Sequence, residues 1–161
     1  MDALIDKSVT NMITVYLAQI DSAMKISEVL AEHDNEEDIS PDNLIIGLIY
    51  RLMVPMTDDE MKESMDKATH VMDESSGEDE DEEDEEDEED EEDELPIEYI
   101  SKSETNKVAR KIKTNNCNCE ICSKARVCLI NYEKYEATDP LAEKFSNSIK
   151  HACSTHKLLL T

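Results

Sequence analysis

An all-α fold is predicted for this chain: an N-terminal three-helix bundle, a disordered acidic linker, and a C-terminal helical hairpin pinned at its base. Three observations predict it. Two Gly, no Trp and a single Phe are combined with abundant Leu, Ile, Met, Glu and Lys, a composition of helices rather than of a sandwich or barrel. Apolar residues recur every three to four positions on both sides of the chain's midpoint. Between them, Glu78 to Glu94 is an unbroken acidic run with no apolar residue to offset the cost of ordering its backbone. The expected division is therefore 1–72, 73–94 and 95–161. Residues 1–72 carry 15 acids and 5 bases, residues 73–94 carry 19 acids and no base, and residues 95–161 carry 7 acids and 11 bases. Only the last region is basic, in a chain of formal net charge −25. Each flanking half is near the size at which one hydrophobic core barely suffices, where metals or oligomerisation commonly help.

In the first half, Ile5, Val9, Met12, Ile13, Tyr16, Ile20, Ala23 and Met24 form a helical stripe that runs toward Val29-Leu30. The polar run His33-Asp34-Asn35-Glu36-Glu37-Asp38 ends it. Ser40-Pro41 reads as an N-cap followed by proline at the first helical position, and opens a helix from Leu44 to about Met53. That segment is apolar on nearly all sides, which predicts burial on nearly all sides. Three helices cannot easily surround it, so residues 44–56 are expected to meet a second subunit or another partner, the alternative being that they form the middle of a compact three-helix core. Thr57-Asp58-Asp59-Glu60 fits a capping box, with Met56 and Met61 as its hydrophobic staple, and Met61, Met65, Ala68 and Met72 continue the third helix. His33 and His70 stand alone and read as solvated.

The second half carries the residues with chemistry. Cys117-Asn-Cys119-Glu-Ile-Cys122 contains the C-x2-C spacing at which one turn directs two sulfurs at one ion. Asp139-Pro140 starts a helix in which Leu141, Phe145, Ile149 and Cys153 recur every four residues. On that helix Cys153 and His156 can chelate together, whereas His151 points away. Ser123 to about Tyr135 reads as the ascending arm of a hairpin, with Cys128, Leu129 and Tyr132 facing Leu141, Phe145 and Ile149. Equal arms bring Cys119 and Cys122 level with Cys153 and His156, which predicts a structural Cys3His zinc site and hence a zinc-stapled hairpin. Cys117 is the substitute should the first pair be shifted, and Cys128 belongs to the core. Five cysteines, four of them within Cys117–Cys128, fit a metal site better than a disulfide framework. A metal-free hairpin with buried thiols and a C-x2-C redox pair are the alternatives.

Ser101 and Glu104 form a candidate capping box for a basic stretch reaching Lys113. Lys107, Arg110, Lys111 and Lys113, together with Lys124 and Arg126, make the chain's one basic patch, a candidate nucleic-acid contact over residues 102–126. The patch has no aromatic stacking platform and is also a candidate target for the chain's own acidic run. Ser75 and Ser76 each precede an acid by three positions, similar to the substrates of acidophilic, casein-kinase-II-type kinases.

No nucleophile–base pair, phosphate loop or open metal site is visible, so no enzymatic activity is expected. The acidic start lacks the basic n-region of a signal peptide, and the Leu44–Met56 stretch is too short to span a bilayer. An intracellular protein, cytoplasmic or nuclear and without membrane attachment, is expected. The leading functional expectation is a non-catalytic adaptor whose residues 78–94 engage basic proteins or mask its own basic module. In composition such runs resemble those of histone chaperones. A nucleic-acid-binding accessory or transcription-type factor is the first alternative; a structural component of a large assembly, such as a viral particle, is the second.

Overall fold

The computed structural model describes residues 2–76 and 108–160. Residues 77–94 of the predicted acidic linker, Lys107 and the Ser101–Glu104 capping box lie outside the described residues, while residues 73–76, expected to begin the linker, continue the third helix. Helices dominate: α1 (Asp2–His33), α2 (Pro41–Met53), α3 (Asp58–Ser76), α4 (Glu120–Asn131) and α5 (Pro140–Thr155), with a 3-10 turn at Tyr132–Lys134. The all-α class is thus the observed one. A two-residue parallel ladder pairs β1 (Arg110–Lys111) with β2 (Leu158–Leu159).

The helix starts are set by the local chemistry seen in the sequence. The Ser40 side chain accepts from the Asn43 N–H, and Pro41 occupies the first turn of α2. Thr57 and Glu60 close a reciprocal capping box, with the Thr57 N–H donating to Glu60 Oε2 at 2.8 Å and the Glu60 N–H to Thr57 Oγ1 at 3.3 Å. Asp139 caps α5 through the Ala142 N–H at 2.8 Å. Arg51, buried at the end of α2, donates to the Val54 carbonyl and reaches Glu60, which joins α2 to the start of α3.

Close helix crossing explains the N-terminal packing. The buried face of α1 is mostly small: Ala18, Ser22, Ala23, Ser27 and Ala31. Gly47 of α2 lies against it, and a Cβ there would meet Ser27 Oγ and come within 2.7 Å of the Ala23 carbonyl oxygen. In contrast, every residue from Asp2 to Ile13 is exposed. The first half of the helical stripe, Ile5, Val9, Met12 and Ile13, therefore lies exposed rather than in the bundle's core.

α2 is buried on nearly all sides, as its composition requires, and the cover comes from the same chain. α4 and α5 both pack on α2 rather than on each other along their lengths. They meet near the top, where the Tyr132 hydroxyl hydrogen-bonds the Ser146 carbonyl and hydroxyl at 2.9 Å. Ile45, Ile46, Ile49 and Tyr50 share one core with Ile26 and Leu30 from α1 and with Cys122, Ala125, Cys128, Leu129, Phe145, Ile149 and Cys153. A single core therefore crosses the expected boundary between residues 1–72 and 95–161. The premise for a second subunit at residues 44–56, a helix left uncovered by its own chain, does not hold. The basic stretch is corrected too. Arg110 and Lys111 are not helical but extended, held by the Arg110 N–H on the Lys157 carbonyl and the Ile112 N–H on the Leu159 carbonyl.

Candidate metal centre

Four side chains from opposite ends of the sequence converge where α1 ends and α4 begins: His33, Cys117, Cys119 and Cys122. Their ligand atoms all lie within 4.8 Å of one another, and all five cysteines are free thiols. His33 Nδ1 is 3.1 Å from Cys122 Sγ, 3.3 Å from Cys119 Sγ and 3.4 Å from Cys117 Sγ. One ring nitrogen has a single lone pair or a single hydrogen, so hydrogen bonding accounts for one such approach and not three. Convergence on a common centre accounts for all of them. A tetrahedral ion with metal–sulfur bonds of about 2.3 Å and a metal–nitrogen bond of about 2.0–2.1 Å places nitrogen and sulfur roughly 3.5 Å apart. The group is close enough to bind a metal ion.

Each ligand is positioned by an identifiable local device. His33 is the last residue of α1, and Asn35 follows in the left-handed region (φ 57°), where asparagine commonly ends a helix. Buried Asn43 of α2 fixes that turn by donating to Asp34 Oδ2 at 3.0 Å and Glu36 Oε2 at 3.1 Å. On the other side, Asp42 holds the approach to the cysteines. It takes a bidentate pair from Arg110 at 2.7 and 2.8 Å and the Lys113 N–H at 2.7 Å. Burial pushes the Asp42 carboxyl up, but these donors and their charges outweigh it and hold it below the ordinary value.

Asn115 braces the loop that follows. Its Oδ1 accepts the Cys117 N–H at 3.2 Å and its Nδ2 donates to Cys122 Sγ at 3.3 Å, while Arg126 holds its carbonyl and side chain. Cys119 is the N-cap of α4 and accepts from the Cys122 N–H at 3.4 Å; Cys117 Sγ accepts from the Cys119 N–H at 3.5 Å. N–H donors aimed at sulfur favour thiolates, the form that ligates metal. The Cys122 N–H, helped by neighbouring thiols and His33, brings Cys119 down to about 7. Burial instead pushes Cys122 up to about 11.

The structure brings two of the four expected ligands, Cys119 and Cys122, into this group and leaves the other two out. Cys153 lies in the hydrophobic core with Phe145 and Ile149, its thiol pushed up by burial. His156 is exposed and caps α5 through its backbone N–H. The equal-arm hairpin failed because α4 and α5 are both drawn onto α2, and the four-residue period that buries Phe145 and Ile149 buries Cys153 with them. Cys117, the stated substitute, takes one vacated position; Cys128 is a core residue. The other position goes to His33, which looked like a solvated loop residue. The available signal was C-x-C-x2-C itself: three thiols in six residues leave a tetrahedron one ligand short.

The basic patch is largely committed to structure. Arg110 is bound to Asp42, Arg126 to Asn115, and Lys124 to Glu120 at 2.7 Å; Lys111 and Lys113 are exposed. Among the described residues, no helix is long and apolar enough to cross a membrane. Comparison with protein-family models, curated proteins and solved structures returned no match.

Proposed function

We propose that His33, Cys117, Cys119 and Cys122 form a structural zinc site, and that the chain is a non-catalytic interaction protein presenting residues 78–94 to basic partners. The observation that carries the reading is the convergence of three cysteine sulfurs on one histidine nitrogen. Thiolate-rich, four-ligand sets of this size suit zinc among the common divalent metals. With four protein ligands no coordination position is left for a substrate, which argues for a staple rather than a catalyst. Binding would join α1 to the start of α4 across a sequence separation of more than 80 residues. In closed thiolate sites such binding contributes on the order of 10 kcal/mol to folding.

A zinc staple of this kind would keep together two halves whose connection is the acidic run. What supports the reading is the charge itself: a dense negative segment in a chain whose flanking parts, up to Ser76 and from Val108, share one core suits a cationic protein partner. The nucleic-acid reading is weaker, because Arg110 and Arg126 have intramolecular partners and the patch lacks aromatic platforms.

Two measurements test the proposal. The purified full chain should contain one zinc per molecule, lost in His33→Ala and in Cys119→Ser but retained in Cys153→Ser; a chain without stoichiometric zinc overturns the site. Capture of histones or other cationic proteins should disappear on deleting residues 78–94, and equal capture by the deletion variant overturns the partner assignment.

A further inference from the structure

Among the described residues, the N-terminal end of α1 is the longest unbroken exposed run. Residues 2–13 are all exposed, and a helix of about 12 residues without tertiary support is marginal in water. Six large apolar side chains line this end, from Val15 and Ile13 at 43% exposure to Leu4 at 71%. Ile5, Val9, Met12 and Tyr16 follow one another at spacings of four, three and four. That is the alternation of a coiled-coil seam, with Leu4, Ile13 and Val15 widening it.

The seam runs into a cavity of about 250 Å³. Its walls are mostly apolar, with Val15 and Tyr16 of α1, Leu52 of α2, Tyr135, and Phe145 of α5, and Asp139 is the one charged residue among them. Tyr16 lies edge-on to Phe145 at 5.6 Å.

We propose that α1 pairs antiparallel with α1 of a second copy of this chain, each copy's Leu4–Ile5 end covering the other's cavity. The register follows from the helix. Ile5 and Tyr16 are eleven residues, or about 16 Å, apart. A two-fold axis between residues 10 and 11 therefore brings Ile5 of the partner subunit beside Tyr16 and the cavity mouth. The surface is self-complementary because the same molecule carries both the ridge and the hollow, as a two-fold interface requires.

Charge selects a second copy over other occupants. In a chain of net charge −25, molecules repel over most of their surface. Between residues 2 and 16 the only charged side chains are Asp2, Asp6 and Lys7. This is the face on which two such acidic molecules can approach. A membrane surface fits poorly, since one lysine among two aspartates does not hold anionic headgroups. A monomer's largest apolar patch is typically about 300–600 Å², and the smallest stable interfaces bury about 600 Å² per partner. A surface confined to about four turns of one helix is expected to give a weak, concentration-dependent dimer.

Sedimentation of the full chain with its metal bound, from about 10 µM to about 1 mM, tests this by mass action. The expected result is a monomer–dimer equilibrium that Val9→Glu or Met12→Glu weakens by roughly 10-fold or more, since each would bury an unpaired charge. Val127→Glu, at an equally exposed site on α4, should leave it unchanged. Unaltered helix content by circular dichroism verifies that the variants fold. A strict monomer throughout the range overturns the proposal, as does a dimer insensitive to both seam substitutions. So does a monomer that floats with phosphatidylserine-containing vesicles.

Discussion

The two halves of the molecule reach the same helical class by different means. In residues 2–76, α2 and α3 both pack on the long α1 rather than on each other, α2 through Gly47 against Ala23 and Ser27, and each junction is closed by a side-chain cap. In residues 108–160, α4 and α5 barely use each other. They lie side by side on α2, and the loop that leads into them is held by Asp42, Asn115 and His33. The first half is a scaffold, and the second is laid on it. Hydrophobic patterning can look similar in two segments of which only one forms a core from its own residues.

The strongest way to break this comparison is to separate the halves. Residues 95–161 alone should lack cooperative thermal unfolding even with zinc present, whereas residues 1–76 should keep substantial helix by circular dichroism. A cooperatively folded C-terminal fragment would restore the picture of two independent domains. Next in size is loss of the histidine ligand. His33→Ala should weaken metal affinity by roughly 100-fold or more and raise proteolytic cleavage within residues 108–160 well before cleavage of α1–α3. Chelation of the intact chain should reproduce that pattern in limited proteolysis.

A scaffold substitution sharpens the contrast from the other side. Gly47→Ala places a methyl group against Ser27 Oγ and the Ala23 carbonyl oxygen, where a backbone atom cannot move aside. A loss of about 1–3 kcal/mol in urea unfolding is expected, and it should affect both halves together because α2 belongs to both.

The smallest expected effect concerns the tie between halves. Asp42→Asn should cost about 0.5–1.5 kcal/mol, since the Asn oxygen can still accept the Lys113 N–H and solvent screens much of the half-exposed Arg110 contribution. The native Asp42 carboxyl titrates below its ordinary value of 3.8, so the unfolded chain binds its proton first. Its contribution is therefore fully present above that value and declines as pH falls through the native one. Urea midpoints of the wild type and the variant should accordingly converge in acid.

What the sequence made legible was local. Ser40-Pro41, Thr57 with Glu60, and Asp139-Pro140 each carry a start signal whose chemistry acts within a turn, and all three caps formed. The C-x2-C pair was legible for the same reason. His33 was not, since nothing within reach of it in sequence marks a ligand whose partners lie 84 to 89 residues away. Burial of α2 could be read from its composition, but composition does not say which segment supplies the cover. Cys153 satisfied two descriptions at once, a ligand three residues from a histidine and the fourth member of an apolar stripe. The core took it. Arg110 and Lys111 looked like part of a basic helix because the pairing that makes them extended comes from Leu158–Leu159, at the far end of the chain.

The shared core also sets an order of events during synthesis. α2 is complete once Met53 has been added, yet Ile149 and Cys153, which help to cover it, follow about a hundred residues later. At about 5–20 residues per second, the nascent chain carries an unroofed apolar helix for on the order of 5–20 s. The dense block of negative charge is made within that interval, directly after α3 and before the residues that roof α2. Added negative charge at that position in the chain would oppose association of unfinished copies at the stage when their apolar surface is least covered.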